Sequence, residues 1–262
     1  MVKVGIIQFS RNDSDIEHNF SRVKDLLSTS TSEIVFLSEN WLSREPVDII
    51  RYMDLVGELS AEYSGGVLFA GSQYVKLGNT VRSIGLAGES GEVRLTCEKI
   101  FPSAAVGERE WLAPGTYIGP IQSGPVSVGC VACVDVMYPE IPRLHALDGA
   151  LIIYNPSSMP YDRMKLWHSV GVSRAAENQV FFVGVNTLGT TYADGRPTKG
   201  GSFIADPVGS ILLNITEEEG LFEASLDTSV IGDVRNRRRY IEDVRYTVSE
   251  FYSRFRFMLT HR

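Results

Sequence analysis

The chain has only three cysteines in 262 residues, Cys97, Cys130 and Cys133. So low and odd a count argues against a disulfide framework and fits a reducing compartment. No run approaches the ~18 apolar residues that a spanning helix needs. No basic-then-apolar leader stands ahead of the strand-like Val2, Val4, Ile6 and Ile7. Positive charge is in deficit, with 25 Lys and Arg against 32 Asp and Glu and a formal net charge of −7. Nothing electrostatic therefore points to nucleic acid or an anionic membrane as partner. The one basic run, residues 235–239, is flanked by Asp233, Glu242 and Asp243 and reads as a solvated or salt-bridged face. No Pro/Gly/Ser-rich linker divides the chain, so residues 1–262 are expected to form one domain. These absences predict a soluble, cytoplasmic protein.

What is present is an alternation of strands and helices. "VKVGIIQF" is a strand too apolar for a half-solvated sheet. Ser14-x-x-Glu17 reads as a capping box ahead of Ile16, Phe20, Val23 and Leu27, which recur at helical spacing. Residues 33–38 form a buried strand delivering Glu39, and 66–75 another. Residues 82–99 read as a hairpin closed by Lys99, and "GPVSVGCVACVD" as a strand ending at Cys133. A helix follows from about Pro139, then a strand ("GALIIYNP"), a helix ("DRMKLWHSVGVSRAAENQ") and a strand ("VFFVGVN"). A hairpin turns on residues 206–209, "GLFEASLD" is the last strand, and the rest is helical or extended. Strands this apolar are usually covered on both faces. The two similar halves predict two sheets packed face to face with helices outside, a single doubly wound sheet being the alternative.

Glu39, Lys99 and Cys133 stand where buried strands end, the usual place for sites in α/β folds. Singly each is weak, since a buried cysteine is more often a small hydrophobe than a nucleophile. Together they form a coherent set. A thiol attacks an amide carbonyl as thiolate, which requires a base such as Glu39. The tetrahedral intermediate carries an oxyanion, which Lys99 and the Val134 N–H could hold. The lysine's charge would also favour the thiolate.

The surrounding segments resemble the nitrilase superfamily of carbon–nitrogen hydrolases. "EIVFLSENWL" is similar to the family's strand ending in Pro-Glu, with Ser38 in place of the proline. "CEKIFPSAAVGEREWLAPG" resembles the lysine segment leading to a Pro-Gly pair, and "CVDVMYPEIPRLHALDGALIIYNPS" the nucleophile segment. "RAAENQVFFVGVN" and "GGSFIADPVGSIL" match two more stretches in the right order. The resemblance implies an α/β fold of the four-layer αββα sandwich type, commonly a homodimer or higher homo-oligomer. It also implies a Glu39–Lys99–Cys133 triad that requires no metal or organic cofactor. A second glutamate matches Glu108, with Glu110 a weaker substitute, and would orient Lys99 and the substrate. Cys133-Val134-Asp135 resembles the amide-cleaving rather than the nitrile-cleaving branch.

The implied substrate is a small-molecule amide, an ω-amide or an N-carbamoyl compound. Ser158, in the loop after "IIYN", is placed as a substrate contact beside Val134. Acyl transfer to an amine, nitrile hydrolysis and a non-catalytic binding role remain the alternatives. Cys130-x-x-Cys133 is formally a redox or zinc pattern, but residues three apart on a strand point to opposite faces and no second metal pair exists. A serine hydrolase lacks a G-x-S-x-G elbow, and His18, His145, His168 and His261 sit in helical or terminal contexts.

Overall fold

The computed structural model describes residues 1–260. Its strands are β1 (Val2–Gln8), β2 (Ile34–Phe36), β3 (Val47–Asp48), β4 (Val67–Leu77), β5 (Thr80–Glu89), β6 (Glu92–Glu98), β7 (Ile121–Ser123), β8 (Val126–Cys130), β9 (Ile152–Ser157) and β10 (Phe181–Asn186). These are followed by β11 (Leu188–Thr191), β12 (Pro197–Lys199), β13 (Phe203–Ala205), β14 (Ile211–Asn214) and β15 (Gly220–Leu226). The α-helices are α1 (Ile16–Ser28), α2 (Ile49–Glu62), α3 (Glu140–Leu147), α4 (Met164–Asn178), α5 (Ser229–Arg238) and α6 (Tyr240–Thr260).

The strands build two main sheets. One has the order β15-β1-β2-β4-β5-β6, with β3 pairing to β4; the other has β14-β13-β10-β9-β8-β7. The centre of each is parallel, β1-β2-β4 in one and β8-β9-β10 in the other, flanked by antiparallel strands. The single doubly wound sheet is thereby excluded.

Side-chain alternation explains why the strands are so apolar. In β2 and just beyond it, Ile34 and Phe36 face the opposite sheet while Val35 and Leu37 face the helices. With period two and both faces covered, every position must be hydrophobic. Three apolar layers result. Val4, Ile6, Phe36 and Phe69 meet Val128, Tyr154, Val183 and Ile204 between the sheets. Phe20, Val23 and Leu27 of α1 and Tyr52, Val56 and Leu59 of α2 cover the first sheet. Ile141 and Ala146 of α3 and Trp167 and Ala175 of α4 cover the second. This is the four-layer αββα sandwich. No helix among the described residues is long and apolar enough to cross a membrane.

Two local expectations are corrected. The cap of α1 is Asp15, whose carboxylate accepts the His18 N–H, while the Ser14 hydroxyl donates to Asn12 instead. The strand expected to end at Cys133 stops at Cys130, and Cys133 opens a 3-10 turn, Cys133–Met137. The chain leaves the sheet there because Asn155 Nδ2 takes the carbonyls of Val131 (2.6 Å) and Cys133 (3.1 Å) away from any further strand partner.

Candidate active site

The two sheets bring four sequence-distant residues to one end of the sandwich. Glu39 follows β2, Lys99 follows β6, Glu108 lies in a short 3-10 turn, and Cys133 starts the turn after β8. Cys133 has φ +45°, a conformation unusual for a non-glycine residue, and it lifts the thiol off the end of its sheet. The Asn155 side chain holding this turn is itself fixed, its Oδ1 accepting Trp167 Nε1 (2.8 Å) and Ser157 Oγ (2.9 Å).

Lys99 Nζ donates to Glu39 Oε1 at 3.0 Å and to Glu108 Oε1 at 2.7 Å, and the lysine is only 1% exposed. Burial alone would lower its pKa, but Glu39 above all, with Cys133, Tyr74 and Glu108, holds it well above the usual lysine value. The lysine is therefore a fixed cation. Glu108 is equally constrained: Tyr74 Oη donates to its Oε1 and the Ser103 N–H to its Oε2. Burial keeps the Tyr74 phenol protonated, so it acts only as a donor here. Glu110, the alternative second glutamate, is exposed.

Glu39 and Cys133 line the same cavity, so the carboxylate's charge acts on the thiol. Burial first, then the negative charge of Glu39, push that thiol well above the usual cysteine value, while Lys99 pulls the other way without prevailing. Lys99 does favour the thiolate, as expected from its charge, but burial and Glu39 outweigh it. Cys133 therefore rests as a thiol.

The backbone around Glu39 is clamped by both sheets. Its N–H donates to Ser157 O (3.4 Å) and its carbonyl accepts Thr187 Oγ1 (3.0 Å). Next to it Asn40, at φ +53°, donates its N–H to Ser72 O (2.6 Å) and receives the Tyr74 N–H on Oδ1 (2.9 Å). Gly71 permits this approach, because a Cβ there would lie 2.0 Å from the Ser38 carbonyl oxygen.

Asp135 joins the lysine and cysteine segments. Its two oxygens accept the N–H groups of Ile100 (2.7 Å) and Phe101 (2.9 Å), tying the turn that carries Cys133 to the residues after Lys99. Burial pushes its carboxyl up to about 6, against the pull of those two N–H groups.

Glu39, Lys99, Glu108, Cys133, Val134 and Ser158 line one cavity of about 310 Å³. The Val134 N–H lies in the first turn of its 3-10 helix, where backbone donors have no partner within the helix. Ser158 contributes at the wall, and its carbonyl accepts the Tyr192 hydroxyl. No histidine lines this cavity, and His261 lies outside the described residues. Ser157 is bonded to Asn155, and Lys165 is exposed on α4. Among the described residues no cluster of three or more His, Cys, Asp or Glu could hold a metal ion. Sequence reasoning missed the Tyr74–Glu108 bond, the Asp135 staple and Tyr192, none of which carries a local spacing signal.

The profile of carbon–nitrogen hydrolase matches residues 3–236. The chain belongs to the carbon–nitrogen hydrolase family. It is 27% identical over 187 residues to the 2-oxoglutaramate amidase of Bacillus subtilis (strain 168), covering 71% of each chain. An (R)-stereoselective amidase of Pseudomonas sp. is 27% identical over 266 residues, covering 95% of this chain and 93% of that one. In three dimensions it superposes on a carbon–nitrogen hydrolase from Helicobacter pylori G27 with a TM-score of 0.85, 20% identity and 97% of both chains covered. The fold is thus a carbon–nitrogen hydrolase fold, and the chain is an enzyme of that family, similar in sequence to amidases.

Proposed function

We propose that the chain hydrolyses a small, non-peptide amide through a thioester on Cys133, releasing ammonia or an amine. The observation that carries this reading is the buried Lys99 ammonium, held between Glu39 and Glu108 in the cavity that also contains Cys133. In the first step Glu39 takes the thiol proton as sulfur attacks the amide carbon. The oxyanion forms against Lys99 Nζ and the Val134 N–H, where fixed donors in a dry site stabilise developing charge. As the tetrahedral intermediate collapses, the C–N bond breaks and Glu39 returns the proton to the departing amine. Water, deprotonated by Glu39, then adds to the thioester, and collapse releases the acid and regenerates the thiol. Glu108, fixed by Tyr74, orients Lys99 and the substrate amide, and Ser158 borders the acyl portion.

Within amides, an ω-amide of a dicarboxylic acid is favoured. Arg163 and Arg196 line the same cavity. Arg196 pairs with Asp194 (2.7 Å) and Asp162 (4.0 Å), whereas Arg163 has no carboxylate partner among the described residues. The 2-oxoglutaramate amidase among the relatives carries a name of this substrate class. The reading extends to a single catalytic unit, cytoplasmic, where free thiols persist, and to self-association as a homodimer or larger, which light scattering would measure.

The deciding experiment is ammonia release from a panel of aliphatic amides, ω-amides of dicarboxylic acids, N-carbamoyl compounds and nitriles, comparing wild type with Cys133→Ala. Release from ω-amides that vanishes in the variant is the expected result. Release that persists in Cys133→Ala, or from nitriles alone, would overturn the reading.

A further inference from the structure

Two of the three cysteines have no part in this chemistry, yet they lie against each other. Cys97 is on β6 of one sheet and Cys130 is the last residue of β8 in the other. Their sulfur atoms are 2.9 Å apart in the layer between the sheets, and each residue is 3% exposed. Gly85, the β5 partner of Cys97, makes room for this sulfur, since a Cβ there would lie 2.5 Å from Cys97 Sγ. A small cavity of about 10 Å³ is lined by both cysteines together with Glu98, Thr116, Tyr117 and His145. That is about the space one water occupies, so the site admits a reagent little larger than water.

We propose that Cys97 and Cys130 form a modification site at which a hydroperoxide converts the thiol pair into a reversible sheet-to-sheet disulfide. One thiol attacks the peroxide: the S–O bond forms, the O–O bond breaks, and the thiol proton leaves with the departing oxygen as water. The second thiol attacks the resulting sulfenic sulfur: the S–S bond forms, the S–O bond breaks, and hydroxide departs with the second proton as water. Two thiols and hydrogen peroxide thus become a disulfide and two waters, sulfur losing the two electrons that the peroxide gains. Closing the contact to a bond of about 2.05 Å requires a relative shift of only about 1 Å. Burial pushes the Cys130 thiol well above the usual cysteine value, so the uncatalysed reaction is slow and the pair stays reduced in a thiol-rich compartment.

The position gives such a bond a consequence. Cys97 is two residues before Lys99, and Cys130 is three before Cys133. The disulfide would join the strand end that delivers the cation to the strand end that delivers the nucleophile, across the one layer that separates their sheets.

This site stands apart from the hydrolase reading, and its test needs no turnover. In Cys133→Ser the remaining cysteines are Cys97 and Cys130, and the purified variant is treated with hydrogen peroxide and quenched with catalase. The expected result is an intact mass lower by two hydrogens and a non-reducing digest that links the two cysteine peptides. Dithiothreitol should reverse it, and the melting temperature should rise by about 5 °C or more while oxidised. Cys97→Ser in the same background should show neither the mass loss nor the rise. Two alkylatable thiols after unfolding, or oxygen addition at either cysteine without a link, would overturn the proposal. If Cys133→Ser does not fold, the linked peptide is sought in peroxide-treated wild type, where its absence is equally decisive.

Discussion

Asp135 Oδ2 accepts the backbone N–H of Ile100 at 2.7 Å, so the residue two past the candidate nucleophile is tied to the residue one past the candidate cation. Glu39, Lys99 and Cys133 stand at the ends of two sheets that share no strand pairing among the described residues. This side chain is one of the polar connections that join their ends.

The Asp135 carboxyl, with a pKa of about 6, should therefore give the pH–rate profile an acid limb near pH 6. Protonation leaves it one fewer acceptor for two N–H donors. The stability sign is opposite. The folded carboxyl binds its proton more tightly than the unfolded one, so this group's contribution is greatest below about pH 4 and is lost as pH rises to about 6. Activity should fall on acidification through pH 6 without loss of near-ultraviolet circular dichroism. In Asp135→Asn, kcat should be lower by about tenfold or more and the limb near 6 absent, with KM little changed. A limb that persists in the variant would assign it to another group.

Replacing Lys99 by Met leaves Glu39 and Glu108 buried without their cation. Breaking a buried ion pair on one side costs about 3–5 kcal/mol. Chemical denaturation should show a loss of that order, together with a fall in kcat of at least about a thousandfold. Lys99→Met combined with Glu108→Gln should recover part of the stability and none of the rate. Recovery of rate would remove Lys99 from the oxyanion role.

Because burial and Glu39 hold Cys133 as a thiol, the thiolate absorbance of wild type minus Cys133→Ala should be absent at neutral pH and grow only above the range in which an ordinary cysteine ionises. Glu39→Gln should lower kcat by several orders of magnitude, for want of a proton acceptor. A full thiolate signal at pH 7 would mean that the cysteine is pre-ionised and that Glu39 acts otherwise.

The two glutamates of the 3-10 turn should separate cleanly. Glu108→Gln should reduce kcat by about a hundredfold or more, Tyr74→Phe by about tenfold, and Glu110→Gln hardly at all. Equal effects at 108 and 110 would show that the turn, rather than the buried carboxylate on Lys99, is what matters.

The apolar strands and the order of the segments were legible in the sequence because they are local. Ile34, Val35, Phe36 and Leu37 must all be apolar wherever a strand is covered on both faces, and the periodicity of Phe20, Val23 and Leu27 already marks a buried helix stripe. Glu39, Lys99 and Cys133 were legible as candidates for a related reason, since each follows an element readable from neighbouring residues. Tertiary structure alone decided the rest. The Asp135 staple, the Tyr74–Glu108 bond and the Cys97–Cys130 contact join residues about 33 to 35 positions apart. No local pattern encodes such pairs, because their proximity depends on how two sheets pack. The protonation of Cys133 was decided the same way: a sequence names the thiol and its charged neighbours, but only packing sets how much water is removed, and here that loss outweighs the attraction of Lys99.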